Sequence, residues 1–131
     1  MSQVEACLRS IGQDARPLSK EQTATMVNQF MLRFPFTNWG RIDWSQIASQ
    51  LDIENIAEII PGLQRAQKNL QAPVYIIWDN ATVPSVESRL PQILEHLDDV
   101  TAVSFDTWLF SPVVGYVIEF YHEGDIKIGF F

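Results

Sequence analysis

The closing segment of the chain, residues 115–131, constrains the fold more than any other stretch. It reads GYVIEFYHEGDIKIGFF, so that apolar and polar residues alternate on both sides of Gly124. Alternation with a period of two is typical of a β-strand that buries one face. The segment is therefore predicted to form an antiparallel hairpin that turns near Gly124.

The length of the turn follows from the side-chain pattern. A two-residue loop at residues 123–124 pairs polar with apolar side chains, and a change of register by one residue inverts every side chain. A three-residue loop at residues 122–124 matches every pair and puts Gly124 in the left-handed conformation that a type I turn with a bulge requires. The matched pairs are Tyr116–Phe130, Ile118–Ile128, Glu119–Lys127 and Phe120–Ile126. We therefore predict the three-residue loop.

The predicted hairpin has two unlike faces. The face expected to be buried carries Tyr116, Ile118, Phe120, Ile126, Ile128 and Phe130. The face expected to point outward carries Val117, Glu119, Tyr121, Asp125 and Lys127. On this outward face Glu119 and Lys127 are expected to form a surface cross-strand pair. His122 and Glu123 are expected to be solvated at the tip of the loop.

The first half of the chain, residues 1–70, is predicted to be helical. Ser19 and Gln22 form a capping-box pattern ahead of TATMVNQFMLRF, and Pro35 ends that helix. A second helix is predicted for WSQIASQL, with Asp43 as its cap. A third is predicted for IENIAEII, which Asp52 would cap and Pro-Gly would end.

The hydrophobic period changes after Pro73. VYIIWD is a nearly continuous apolar run and predicts an interior strand. PSVESRLPQILEHLDD predicts a helix that either begins near Ser88, with Pro91 in its first turn, or is kinked at Pro91. TAVSFDTWLF predicts another strand. Short β-α-β connections favour parallel neighbours with a right-handed crossover.

The expected fold is thus α+β in a single domain, residues 1–131. A helical half, residues 1–70, precedes an acidic, sheet-forming half, residues 71–131, with the order β-α-β-β-β. The sheet is expected to be mixed, to end in the antiparallel hairpin and to carry helices packed against it.

The acidic residues are distributed unevenly along the chain. Residues 1–70 contain seven acidic and seven basic residues, whereas residues 71–131 contain nine acidic residues against Arg89 and Lys127, which gives the whole net charge of −7. This argues against direct binding of nucleic acid, which needs clustered Lys and Arg. It favours a basic protein partner, although an acidic surface can also serve only to keep a protein soluble.

The sequence offers no set of residues for catalysis or metal binding. Cys7 is the single cysteine, and His96 and His122 stand in no known ligand spacing. Nucleotide-binding glycine loops and a GxSxG motif are absent. We therefore predict no enzyme activity, no cofactor and no metal. The N-terminus lacks an apolar signal segment and no run is long enough to span a bilayer, so a cytoplasmic protein without membrane contact is expected.

Aromatic residues among the carboxylates indicate a binding surface. Trp108 shares its predicted strand face with Asp106 and is expected beside Glu119 and Tyr121 on the acidic face of the sheet. Trp and Tyr are typical anchors of protein interfaces. The alternative is that helices from the first half cover this face. The predicted partner-binding residues are Asp98, Asp99, Asp106, Trp108, Glu119, Tyr121, Glu123 and Asp125.

The end of the chain, WLFSPVVGYVIEFYHEGDIKIGFF, resembles the C-terminal hairpin of small bacterial immunity proteins. These proteins are paired with the toxins of contact-dependent growth inhibition and related polymorphic systems, and the shared core is Tyr-Val-Ile-Glu-Phe-Tyr-His-x-Gly. The resemblance covers about the last quarter of the chain.

That resemblance implies that the protein binds the toxin domain of a cognate effector, expected to be a basic nuclease, and blocks its active site or the approach of its substrate. The carboxylates would meet the Lys and Arg side chains that hold nucleic acid, and Trp108 and Tyr121 would be desolvated anchors. A non-catalytic adaptor or regulatory subunit that binds another basic protein through the same surface is the alternative.

Overall fold

A computed structural model describes residues 2–131 of the chain. Within these residues seven strands form one sheet that has helices on both faces. The helices are α1 Gln3–Ile11, α2 Lys20–Arg33, α3 Ile59–Arg65, α4 Leu90–Glu95 and α5 Leu97–Thr101. The strands are β1 Arg16–Pro17, β2 Gln50–Ile53, β3 Pro73–Trp78, β4 Val86–Arg89, β5 Thr107–Ser111, β6 Tyr116–Phe120 and β7 Ile126–Phe130. The strand order is β1-β4-β3-β5-β6-β7-β2. The α+β fold class is confirmed.

The closing hairpin has the predicted register. All four predicted pairs are present, from Tyr116 with Phe130 to Phe120 with Ile126. The N–H of Tyr121 donates to the carbonyl oxygen of Asp125 at 2.9 Å, which closes the three-residue loop. Gly124 has φ of 100°, the left-handed conformation predicted for it.

Helix α2 begins and ends where the sequence predicts. Ser19 and Gln22 make both hydrogen bonds of the capping box, at 3.1 and 3.0 Å. Each bond satisfies a backbone N–H that the first turn would otherwise leave free. Phe34, the residue before Pro35, has extended backbone angles and ends the helix.

The segment after Asp43 is not the predicted helix. Asp43 caps only a single 3-10 turn, Trp44–Gln46, after which the chain becomes the edge strand β2. Strand β2 pairs with β7, so that Asp52 lies opposite Lys127 instead of capping a helix. Pairing with a strand far away in sequence overrides the local helical pattern, because the edge of the closing hairpin offers backbone partners that the periodicity does not reveal.

The third predicted helix is shifted along the chain. Asn55, not Asp52, makes the capping box, with Glu58, and the 3-10 turn that it caps leads directly into α3. Pro61 is the third residue of α3. Backbone N–H groups in the first turn of an α-helix have no acceptor within the helix, so a proline at this position costs no hydrogen bond and does not end the helix.

The expected mixed sheet is wrong, since every neighbouring pair in the described sheet is antiparallel. The first residues of the predicted helix, Val86–Arg89, form strand β4, which folds back on β3 as a hairpin. Helix α4 starts only at Leu90, and Pro91 lies in its first turn, which was one of the two predicted alternatives.

The additional strand β4 reverses the chain once more, so that β5 returns antiparallel to β3. The next strand begins at Thr107, later than predicted, because Thr101 still belongs to α5.

The two faces of the sheet carry separate apolar cores. One face packs against α1, α3, α4 and α5 and buries residues such as Ile76, Leu109 and Ile118. The other packs against α2 and the segment that follows it, and buries Ile77, Trp108, Phe110 and Val117 of the sheet with residues 30, 34, 42 and 44. The sheet is thus the middle layer of three, and strand β3 is interior as predicted.

Cys7 lies in the first of these cores and is fully buried, as predicted for a small apolar residue. Burial, with a contribution from the charge of Asp99, raises the pKa of the Cys7 thiol to about 11. The thiol is therefore protonated and inert at neutral pH.

Candidate functional site

Glu119 lies at the centre of the protein and not on its surface. Its side chain is fully buried, and Trp108, opposite it on β5, is 4% exposed. The expectation of an outward Glu119–Lys127 pair is therefore wrong: the two residues are in register, but Lys127 contacts Asp52 on β2. The alternative that the first half of the chain covers this face is the one that the structure adopts.

Five donors surround the Glu119 carboxylate. Oε1 accepts from Nε and Nη2 of Arg41, at 2.9 and 2.7 Å, and from Nε1 of Trp44 at 2.8 Å. Oε2 accepts from the backbone N–H of Ile42 at 2.9 Å and from Nε1 of Trp108 at 3.1 Å. A buried charge is tolerated when it is paired and hydrogen-bonded in this way. The carboxylate is fully engaged and cannot act as a free acid, base or ligand.

A short turn after α2 carries three of these donors to Glu119. Thr37 and Arg41 are joined by backbone and side-chain hydrogen bonds of 2.8 and 3.2 Å, and Phe36 forms an isolated β-bridge with Ile42. Gly40, with φ of 89°, provides the positive backbone angle in this turn. The turn directs Arg41 and Ile42 toward the sheet.

Trp44 reaches Glu119 because β7 has a glycine beneath its ring. A Cβ atom at Gly129 would lie 3.0 Å from the Trp44 ring and 3.3 Å from Val117. The absence of a side chain at Gly129 therefore makes room for the indole that donates to Glu119.

Arg41 connects the buried carboxylate to the surface. Its Nη1 lies 3.5 Å from Oδ2 of Asp125, whose side chain is 60% exposed, and its guanidinium carbon is 4.1 Å from the centre of the Tyr121 ring. Burial lowers the pKa of Arg41, but its hydrogen bonds and ion pairs with Glu119 and Asp125 outweigh that effect and raise the pKa above the ordinary value. Arg41 thus stays charged and holds the base of the hairpin loop.

The hairpin loop and a neighbouring loop form an exposed surface, which we call the tip surface: Phe105, Tyr121, His122, Glu123 and Asp125. Phe105 is 80% exposed, and its ring centre lies 5.8 Å from that of His122. Tyr121 is half-buried, with its ring 4.3 Å from His122, while Glu123 and Asp125 are exposed. The tip surface therefore combines aromatic rings with two exposed carboxylates, of which Asp125 is paired with Arg41.

Asp106 supports the tip surface from below. It is 6% exposed, so the expectation that it projects from an open face is wrong. Its Oδ1 accepts from the backbone N–H of His122 at 2.8 Å and lies 3.0 Å from His122 Nδ1. Its role in the free protein is to fix the loop conformation.

Asp98 and Asp99 lie elsewhere. Both are exposed on α5, which packs on the sheet face opposite to Glu119. Asp99 accepts a hydrogen bond from Ser10 of α1, so that part of its charge is used within the fold. The eight predicted residues therefore separate into the buried pair Glu119 and Trp108, the tip-surface residues Tyr121, Glu123 and Asp125 with Asp106 beneath them, and the α5 carboxylates Asp98 and Asp99.

An apolar groove of about 1070 Å³ runs between α2 and the loop that follows β3. Its floor contains Val27, Phe30, Ile77 and Trp108, and its walls include the turn at Gly40. The lining on α2 follows helical spacing, with residues 20, 23, 24, 27, 30 and 31 on one stripe. Neither this groove nor the contact of Arg41 with Glu119 was predicted from the sequence, although the helical spacing of the apolar residues on α2 was visible there.

In the folded chain, basic residues of the first half neutralise some of the acidic residues of the second half. Arg16 of the first half pairs with Glu87 of the second at 2.5 Å, and Arg41 pairs with Glu119. Among residues 2–131, no group of three or more His, Cys, Asp or Glu side chains is arranged to hold a metal ion. In the same part of the chain, none of the helices has the length and apolar character that crossing a membrane requires.

The chain matches a known protein family. A family model described as "CdiI immunity protein EcoliA0-like" matches residues 1–129, almost the whole chain. A search of curated proteins found no match.

Proposed function

The chain belongs to the CdiI immunity protein family, and we propose on that premise that it neutralises a nuclease toxin by binding it through the acidic tip surface. Neutralisation of a cognate toxin protein is the activity of the family, and such immunity proteins are generally non-catalytic. The nature of the toxin and the surface that binds it are our inferences. We further propose that the protein acts in the cytoplasm, where a delivered nuclease would find its substrate.

The observation that carries the proposal is the composition of the tip surface. Glu123 and Asp125 are exposed acids beside two aromatic rings, Phe105 and Tyr121. Aromatic side chains that become desolvated at the centre of an interface provide most of its binding energy. Carboxylates around them accelerate association with a positively charged partner.

Binding of this kind would inhibit a nuclease by occupying its substrate site. A nuclease holds its nucleic acid with Lys and Arg side chains that contact phosphates. Glu123 and Asp125 would take the place of two phosphates, whereas Asp98 and Asp99, on the other side of the sheet, would contribute through the negative field of the whole protein. Salt would weaken such a complex, because it screens exposed charges.

The buried residues have an indirect role in this proposal. Glu119, Trp108 and Asp106 contact the toxin only if the fold opens, so we assign them to support of the tip surface. Arg41 transmits that support, since it bonds Glu119 and also contacts Tyr121 and Asp125. A loop that is held in place before binding loses less conformational entropy on binding.

Titration of the purified toxin domain of the cognate effector with this protein tests the proposal. We expect stoichiometric binding, loss of nuclease activity and an affinity that falls with salt. The double variant Glu123→Gln/Asp125→Asn should raise Kd about 10-fold at low salt, mainly through a slower association rate.

A matched control removes two exposed acids from another part of the surface. Glu5→Gln/Glu95→Gln, on α1 and α4, changes the net charge equally and should alter Kd by less than about 2-fold. Equal losses in both double variants would mean that only the overall charge matters. A wild-type protein that neither binds nor inhibits the toxin would refute the proposed function.

A further inference from the structure

The groove beside α2 is an unused apolar surface next to the tip surface. Val27, Phe30, Ile77 and Trp108 form its floor, whereas Thr37, Asn38 and Asn80 stand among its polar lining residues. An apolar floor with a polar rim is the usual composition of a protein-binding groove. Its volume of about 1070 Å³ lies just above the range of about 300–1,000 Å³ for small-molecule pockets, so it has room for a segment of polypeptide.

An exposed apolar side chain stands in the lining of the groove, and another lies in the turn that borders it. Met31 lines the groove and is 49% exposed. Trp39 is not itself a lining residue, but it is 68% exposed and stands in the chain between Asn38 and Gly40, which are. Large apolar groups that remain in water at the rim of a groove indicate a site where another protein docks.

The groove and the tip surface share one supporting wall. Trp108 lines the groove and donates to Glu119, and the turn at Gly40 leads directly to Arg41, which contacts Tyr121 and Asp125. A partner seated on the tip surface therefore lies next to the mouth of the groove. The two surfaces are continuous through the 37–41 turn.

Charge at the rim indicates the chemistry of the occupant. Among the described lining residues the charged ones are Asp79 and Lys20, and Asp79 is exposed at the end of β3. One oxygen of Asp79 accepts from Ser104 and from the backbone N–H of Asp106, which holds the carboxylate in place at the tip end of the sheet. A segment with apolar side chains and a Lys or Arg that reaches Asp79 complements this end of the groove, while Lys20, the other charged lining residue, belongs to the first turn of α2.

We propose that the groove seats an apolar segment of the toxin domain, with large aliphatic or aromatic side chains on the floor and a basic side chain facing Asp79. The inference rests on the proposed function, because it takes the toxin as the partner. It adds an apolar half to an interface whose other half, the tip surface, is acidic. The apolar half would provide affinity, and the acidic half the rate of association.

The variant Ala24→Glu tests this inference with the intact protein and the toxin domain. Ala24 is an exposed residue of α2 that lines the groove, so the larger side chain projects into the docking site without touching the core. The added negative charge would strengthen a purely electrostatic complex with a basic toxin. We expect instead that Kd rises about 30-fold or more, because a charge is placed where an apolar side chain should bind.

Thr25→Glu is the matched control. Thr25 is exposed, lies outside the groove lining and follows Ala24 by about 100° around the helix. It adds the same charge at nearly the same place, and its Kd should stay within about 3-fold of the wild type. Wild-type affinity in Ala24→Glu would overturn the groove proposal while leaving the proposed function intact, since that function fails only if the unmodified protein does not bind.

Hydrogen exchange on the unmodified protein gives a second test that needs no variant. Addition of the toxin domain should slow amide exchange in residues 36–40 and 79–85, the two loops that border the groove, as well as in the tip surface. Protection limited to the tip surface would overturn the inference. So would a free protein that is dimeric in light scattering and becomes monomeric with Ala24→Glu, since the groove would then be covered by a second copy.

Discussion

The two faces of the central sheet are stabilised in different ways. The face toward α1, α3, α4 and α5 buries a large, predominantly apolar core in which Leu109 and Ile118 have no exposed surface. The face toward α2 buries a smaller aromatic core around a carboxylate with five donors. Adjacent residues of β6, Ile118 and Glu119, point to these two faces.

The two faces therefore have different roles: the apolar core stabilises the fold, and the Glu119 network also holds the surface proposed to bind the toxin. An apolar core needs only volume and shape, and it stabilises the fold without determining what lies on its surface. The Glu119 network depends on direction, because each donor must point at one oxygen. Its members come from the turn after α2, from the 3-10 turn at Trp44 and from strands β5 and β6, and through Arg41 they fix the tip surface. The groove opens on the same face, where the packing against α2 is incomplete.

Removal of the buried carboxylate should have the largest effect. Glu119→Ala leaves Arg41 without its buried partner, and it leaves two indole N–H groups and the N–H of Ile42 without acceptors. We expect a loss of about 3–5 kcal/mol in the free energy of unfolding, measured by urea denaturation. A loss of less than about 1 kcal/mol would show that water replaces the carboxylate at little cost.

A double variant separates the charge from the packing in that prediction. Glu119→Leu with Arg41→Met replaces the buried pair by apolar groups and removes the unpaired charge, but the indole N–H groups of Trp44 and Trp108 and the N–H of Ile42 still lack acceptors. Stability should therefore rise above that of Glu119→Ala by about 1–2 kcal/mol and stay below that of the wild type. Toxin binding should not recover, because Met at position 41 no longer supports Tyr121 and Asp125.

Truncation of the neighbouring residue on the apolar face should have an intermediate effect. Ile118→Val removes one methylene group from a fully buried site and should cost about 0.5–1.5 kcal/mol in the same denaturation experiment. Affinity for the toxin should be unchanged, since the tip surface is supported from the other face. A change of Kd of more than about 3-fold would contradict the separation of the two faces.

Removal of the exposed ion pair on β7 should have the smallest effect. Lys127 contacts Asp52, whose side chain is 74% exposed, so solvent and salt screen the attraction. Lys127→Ala should change the free energy of unfolding by less than about 1 kcal/mol, and the change should vanish at high salt. A larger loss would mean that Lys127 also interacts with the buried Glu119, its neighbour in the register.

Much of the fold is readable from local sequence. The capping box of Ser19 and Gln22 and the pairing of the closing hairpin both follow from residues close together in the chain, and both predictions are confirmed. Strands β2 and β4 were missed because each has only four residues, and because the local pattern does not indicate that these residues pair with β7 and β3. The additional strand β4 also changed the direction of β5, which turned the expected mixed sheet into an antiparallel one.

The candidate site was harder to predict than the fold. Glu123 was expected at the tip of the hairpin loop and Asp125 on the outward face, and both are exposed, whereas Tyr121 of that face is half-buried. Glu119, Trp108 and Asp106 are buried. A signal was present: YVIEF places a single carboxylate in an otherwise apolar strand, and central strands are apolar on both faces. That pattern indicates a buried charge, but it does not identify Arg41, 78 residues earlier in the chain, as its partner.

The sequence by itself determined the elements whose causes are local. Helix α2 begins at its cap, the hairpin has one register that separates apolar from polar residues, and β3 is apolar enough to be interior. Only the tertiary structure decided which face of the hairpin meets water, because that depends on whether α2 and the following turn pack over it. The physical reason is that burial of Glu119 is favourable only when all five donors are assembled, and these come from segments that meet only in the folded chain.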